Sequence, residues 1–452
     1  MNPEKIEKNF KRYFPSPFSL AIILSIVTFM FALFFTEGNG QEAKFVEISS
    51  YWYDGLWDKS SGGLYFTFQM MLILVLGHAL ALSQPFDKLM HKLLFLCTNR
   101  VNAVVTLSFT TILMGYFNWG LALIFGALFA RKIGAYFSQQ AKKINYPLLG
   151  ACGYLGLLVW HGGFSGSAPT KVMESDYLAS LGFKNLNIPV EDTLFGSMNI
   201  FVCISLLVLI PLFMAFVSKK NEGKIPSFKR EEKIEKSNTA LGLAEKFEHS
   251  KLVSIFLGLV FLVIAITQAT TYEGQSSLGF IQPNYINFCM LSLALLFHVN
   301  LHSFLRAIDE AVKGAAGILI QFPLYFGILG ILKGSGLIYD FTEFIITLAN
   351  AETLPFLTFV SAGIVNFFVP SGGGQWAIQG PIIIESAQQL QADLPKTIMA
   401  MSYGDELTNM LQPFWALPLL AVTKLKAYQI LPFTFILFCL GAIIFTVGLL
   451  LF

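Results

Sequence analysis

The chain has 452 residues, 55% hydrophobic and only 13% charged, with 45 Phe and a net charge of +2. A soluble domain carries about 25% charged residues, so an ordinary globular protein is excluded. The small net charge implies neither nucleic acid nor an acidic partner. Five scattered cysteines (Cys97, Cys152, Cys203, Cys289, Cys439) form no disulfide framework and no CxxC metal site.

Apolar runs lie near residues 18–36, 64–83, 101–134, 144–170, 194–217, 252–271, 285–302, 314–332, 354–384, 397–422 and 428–452. Phe18–Phe35 and Leu64–Leu82 hold no Asp, Glu, Lys or Arg and reach the ~20 residues that cross a bilayer. No small-residue cleavage site follows the first, which reads as a retained span. The runs 101–134 and 354–384 are too long for one helix and too short for two spans with a loop. Each is predicted to be a re-entrant hairpin, at about 101–134 and about 354–390. The stretches at about 144–173 and 397–422 are predicted to be broken helices.

Charge supports the hairpins, because cytoplasmic loops carry the excess of Lys and Arg. With a cytoplasmic N-terminus, 24 of the 30 Lys and Arg fall inside. A single crossing at 101–134 would move Arg131, Lys132, Lys142 and Lys143 outside. The hairpin reading makes the first hairpin open inward and the second outward, and puts the C-terminus on the outer side. The chain then divides into a first inverted repeat, 1–217, a basic cytoplasmic linker, 218–251, and a second repeat, 252–452. The linker is solvated or rests on the lipid surface.

Sliding the chain on itself by 248 residues lays 102–168 over 350–416, with 11 of 67 positions identical. Matches include Gly115 with Gly363, Asn118 with Asn366, Gly126 with Gly374, Pro147 with Pro395 and Gly156 with Gly404; His161 falls on Asn409. Gly and Pro set backbone geometry, and Asn tolerates irregular turns.

The interruptions carry the chemistry. Ser371, Gly372, Gly373 and Gly374 offer consecutive backbone N–H groups, with a half-helix expected from about Gln375 whose positive end faces them. Together they suit a carboxylate, with Trp376 as an apolar wall. The plainer alternative is a Gly-packed helix crossing. Asn118 and Asn366 mark the two hairpin turns, and His161, Ser165 and Ser167 lie in the opposing break. Asp405 and Glu406 are adjacent acids inside an apolar run, where ionisable groups are costly and usually functional. They are expected to carry a coupling cation, H+ or Na+, with Asn409 and Gln412, one and two turns on, lining the same cavity; the alternative is a shallow, hydrated break. Lys171 could counter a substrate carboxylate but is expected near the outer surface. His298 and His302 are read as interfacial, not as a metal pair. No cofactor and no metal are expected.

The run Asn366-Phe367-Phe368-Val369-Pro370-Ser371-Gly372-Gly373-Gly374-Gln375-Trp376-Ala377-Ile378-Gln379-Gly380-Pro381 resembles the signature of the bacterial short-chain fatty acid transporter family, of the acetoacetate-degradation operon type. Gly404–Trp415 and Arg12-Tyr13-Phe14-Pro15-Ser16-Pro17-Phe18 resemble it too. That family is similar to the wider ion-transporter superfamily of inner-membrane carriers. The chain lacks the Ser-Asn-Thr tip of the superfamily's dicarboxylate carriers, which puts their sodium-site details in doubt here. The expectation is therefore an all-α polytopic membrane protein, an inverted-repeat secondary transporter with two re-entrant hairpins and two broken helices. The resemblance implies uptake or exchange of small monocarboxylates such as acetoacetate and butyrate across the inner membrane, with lipid and a homodimer mate as further partners. An anion channel or a dicarboxylate carrier is the alternative. No Walker, HExxH or GxSxG motif points to an enzyme.

Overall fold

A computed structural model of the chain describes residues 17–38, 43–57, 63–183, 186–225, 242–272, 278, 280–367, 369, 372–412 and 415–452. Among these the protein is helical throughout, without a strand; one isolated bridge pairs Ile144 with Lys224. Six described helices are long and apolar enough to cross a membrane: Gly63–Ala81, Trp119–Gln139, Ser197–Lys220, Lys251–Thr270, Leu301–Gly334 and Ala427–Leu451. A helix meets every backbone hydrogen bond within itself, as hydrocarbon demands. The helix Leu301–Gly334 joins the apolar run 314–332 to the polar stretch before it. Arg306, Glu310 and Lys313 are good helix formers, so their charge does not stop the helix.

The two ends of the molecule are fixed by contacts. Glu222 pairs with Arg100 at 3.0 Å and with Lys143 at 3.5 Å. Arg100 opens the helix Arg100–Phe117, and Lys143 follows the helix Trp119–Gln139. The chain thus leaves and returns to one end, the basic end, turning at Asn118. Helix Ser197–Lys220 runs to the basic end from the opposite one, where Gly196, Gln391, Asp393 and Phe452 share a surface pocket. The helices Leu354–Asn366 and Gly372–Leu390 form a second hairpin, begun from that opposite end. Both helices line one apolar cavity, with Leu354, Ile364, Ile378 and Ser386 among its walls.

Two broken helices run in opposite directions. One starts at the basic end, where the Tyr146 hydroxyl donates to the Thr423 carbonyl at 3.0 Å. It continues as Tyr146–Gly153, two 3-10 turns (Leu155–Leu158 and Trp160–Gly162) and Ser167–Lys171. Five glycines between 153 and 166 make a continuous helix unfavourable by ~1 kcal/mol each. The other starts at the opposite end as Leu394–Thr408, passes through the 3-10 turn Asn409–Leu411, and ends as Leu417–Thr423. Gln412 is extended there, as a residue before a proline prefers.

The two hairpin-plus-break units share details 248 residues apart. Asn145 and Asp393 cap their broken helices, accepting from Leu148 N at 3.0 Å and Lys396 N at 2.9 Å, with Pro147 and Pro395 in the first turns. A Cβ on Gly115 would lie 3.0 Å from the Gly156 Cα; one on Gly404 would lie 2.9 Å from the Gly363 N. In each unit a glycine pair lets the first hairpin helix touch the broken helix backbone to backbone.

Candidate functional site

The irregular backbone of each break is satisfied largely from other elements. The Tyr154 hydroxyl, from the first break, sits 3.1 Å from the Asn409 carbonyl and 3.2 Å from that of Gln412, in the second. Asn409 Nδ2 returns a bond to the Leu157 carbonyl at 3.3 Å. The Phe164 N–H donates to the Tyr116 carbonyl at 2.8 Å. The two breaks are therefore pinned to each other at one depth, which is the condition for non-helical backbone inside a membrane.

At that junction lie the acids, both 1% exposed. Glu406 Oε2 accepts from the His161 backbone N–H at 2.8 Å. Asp405 Oδ1 is 3.2 Å from His161 Nε2, without the alignment of a hydrogen bond. Both Asp405 carboxylate oxygens thus lack a donor among the described residues. The same holds for the side-chain oxygens of Asn366, Gln375 and Gln412. Their amide nitrogens point elsewhere: Asn366 Nδ2 to the Asp405 carbonyl at 2.7 Å, Gln412 Nε2 to the Asn366 carbonyl at 2.9 Å, and Gln375 Nε2 to the Ala362 carbonyl at 2.9 Å. A buried carboxylate without a donor is costly, and a proton or a cation removes the cost. The alternative of a shallow, hydrated break does not fit this burial.

The second hairpin helix begins at Gly372, three residues before the expected Gln375, so the glycines form its first turn. They are tightly packed. A Cβ on Gly372 would lie 2.3 Å from His161 Nε2, one on Gly373 2.8 Å from the Phe322 ring, and one on Gly374 2.3 Å from Tyr325. Gly372 and Gly373 line a cavity with Trp119, Trp160, Ser167 and Trp415. Its volume is about 20 Å³, room for about one water, so the site is closed in this conformation. The Trp119 ring is 5.8 Å from that of Trp160 and 5.5 Å from that of Trp415.

Other expected site residues fall elsewhere. Asn118 is wholly buried and bonded at both amide atoms: Oδ1 caps Leu121 N at 2.8 Å and Nδ2 donates to the Ile73 carbonyl at 3.1 Å. Ser165 accepts from Trp119 N at 3.0 Å, a positioning contact. Trp376 is buried against Gly380 and does not line the cavity. Ser371 lies outside the described residues. Lys171 is not at the surface but 2% exposed. His298 is buried and bonded to the Ala79 carbonyl at 2.9 Å, while His302 stacks on His249. The cavity tryptophans Trp119, Trp160 and Trp415 were missed by motif reasoning. A signal existed: four of the six Trp stand at the interruptions, at 119, 160, 376 and 415.

Comparison with known proteins adds the lineage. Residues 4–452 match the protein family described as short chain fatty acid transporter. A protein of Escherichia coli (strain K12) named "Putative short-chain fatty acid transporter" is 36% identical over 450 residues, covering 98% of this chain and 97% of its own. A protein of the same name from Haemophilus influenzae is 35% identical over 450 residues, covering 96% and 94%. Among solved structures, the YdaH transporter of Alcanivorax borkumensis superposes with a TM-score of 0.57 at 13% identity, over 96% of this chain and 98% of that one. MtrF of Neisseria gonorrhoeae does so with 0.51 at 14%, over 96% and 95%. At such identities these structures speak for the fold alone.

Proposed function

Because the chain belongs to the short-chain fatty acid transporter family, and is by that membership a membrane transporter and not an enzyme, we propose that it couples movement of small monocarboxylates, such as butyrate and acetoacetate, to a cation across the bacterial inner membrane. One observation carries the coupling: Asp405, buried beside His161 where the two breaks meet, has no hydrogen-bond donor on its carboxylate. A cation or proton there makes the carboxylate tolerable in low dielectric. When it leaves, the charge favours rearrangement of the junction. Glu406 and Asn409 brace the same junction across the halves.

The anion belongs at the first turn of the second hairpin helix. The N–H groups of Gly372 and Gly373 carry the positive end of the helix dipole. The three tryptophans supply an apolar wall for the acyl chain. With 1–217 and 252–452 as inverted repeats, one hairpin guards each side of the junction and the two open in turn. The Lys- and Arg-rich end is the cytoplasmic one, which puts the C-terminus in the periplasm.

The test is uptake of labelled butyrate into proteoliposomes holding the purified protein. The expected result is accumulation driven by an imposed proton or sodium gradient and abolished by the matching ionophore. Flux that only equilibrates, whatever the gradient, would instead favour an anion channel.

A further inference from the structure

A second buried ionic group lies between the cavity and the end opposite the basic one. Lys171 ends the short helix Ser167–Lys171, one turn beyond the cavity residue Ser167. Its ammonium is 2.5 Å from Glu174 Oε2 and 2.9 Å from Gln69 Oε1. Gln69 Nε2 in turn donates to Glu174 Oε1 at 3.2 Å and to Asn284 Oδ1 at 3.0 Å. Gln69 is six residues into the helix Gly63–Ala81, about 9 Å from its end at ~1.5 Å per residue. Met70, the next residue along that helix, lines the cavity, so the group adjoins it on the side of Gly63.

Three rings surround the ammonium, with centroids 5.5 Å (Tyr65), 5.2 Å (Phe66) and 4.9 Å (Tyr177) away. They hold a cation whether or not an anion is present. Phe66 also touches the glycine turn, since a Cβ on Gly373 would lie 3.1 Å from its Cζ. One ring therefore separates Lys171 from the proposed carboxylate site. The two charges differ in access. The Lys171 side chain is 2% exposed and the Glu174 side chain 14%. The Glu174 side chain thus reaches solvent in part, while that of Lys171 is enclosed.

We propose that Lys171 is a substrate-binding residue and that Glu174 is the internal carboxylate that occupies it when no substrate is present. An arriving monocarboxylate replaces Glu174 on the ammonium, Glu174 turns outward, and the substrate passes Phe66 to the glycine turn. The exchange swaps one carboxylate for another, so the buried ammonium never stands unpaired, a state that would be costly. The proposal rests on the monocarboxylate reading above.

Butyrate affinity, measured by a binding assay on purified, monodisperse protein, tests it through variants of opposite sign. Lys171→Gln should weaken binding roughly tenfold to a hundredfold, the worth of one charge-assisted hydrogen bond. Glu174→Gln removes the competitor and should tighten binding about threefold or more. The double variant Lys171→Gln/Glu174→Gln leaves no charge unpaired; it should fold where either single variant does not, and bind as weakly as Lys171→Gln. If Lys171 is only structural, Glu174→Gln weakens binding too, or the double variant binds like the parent; either result overturns the proposal. A parent protein that binds no monocarboxylate overturns the functional reading along with it. Parental binding with unchanged Lys171→Gln binding overturns this proposal alone.

Discussion

The two hairpins turn in opposite ways. The first turns on one residue, Asn118, whose side chain has both a donor and an acceptor partner, and the following Trp119 N–H is taken by Ser165. What that turn offers a solute is the apolar ring of Trp119. The second ends in glycines that lean on His161, Phe322 and Tyr325, next to Asp405 and amide oxygens that lack donors. Equivalent positions in a repeated architecture have thus diverged: one turn is a pin, the other is where unsatisfied groups collect. Protein that must rearrange keeps such groups in one place, because each is a cost that only a ligand or a second conformation relieves.

That contrast can be broken at several points. The largest effect is expected from Gly372→Val, whose side chain would occupy the place of His161 Nε2. Butyrate binding by the purified variant should fall to background. Near-parental affinity would show that the glycine turn only packs. Next is Gly373→Ala, which must displace the Phe322 and Phe66 rings and should weaken affinity by about tenfold, the equivalent of ~1.4 kcal/mol. In the first turn, Asn118→Ala should act on stability. Loss of a cap costs about 0.5–2 kcal/mol, and the Ile73 carbonyl loses its donor as well. Thermal unfolding in detergent should show the loss while uptake per folded molecule stays at the parental level. A parental melting curve with lost uptake would reverse the roles of the two turns. The smallest effect is expected from Ser165→Ala, about 1 kcal/mol from the unpartnered Trp119 N–H, read in the same melting assay.

Much of this was legible in the sequence because backbone chemistry is local. Gly115, Gly156, Gly363 and Gly404 mark places where two helices touch, and Pro147 and Pro395 mark helix starts; their residue types alone announce the geometry. The adjacent acids at 405–406 stood out because charge is rare in apolar runs. What was not legible depends on contacts between distant segments. Nothing local told Lys171, at a break, from a surface lysine; its burial comes from Gln69, Phe66 and Tyr177 on other helices. The crowding of Gly373 is of the same kind, since the Phe66 and Phe322 rings against it arrive from far along the chain. Asn118 looked like its equivalent Asn366, yet its amide oxygen has a donor where that of Asn366 has none.

The central claim is that Asp405 carries the coupling cation while the glycine turn holds the anion. Proteoliposomes bearing the Asp405→Asn variant test it most directly, with two measurements on one preparation. Gradient-driven accumulation of butyrate should fall to background, while exchange of internal for external butyrate, which needs no net cation movement, should continue. Accumulation at the parental level in that variant would contradict the account.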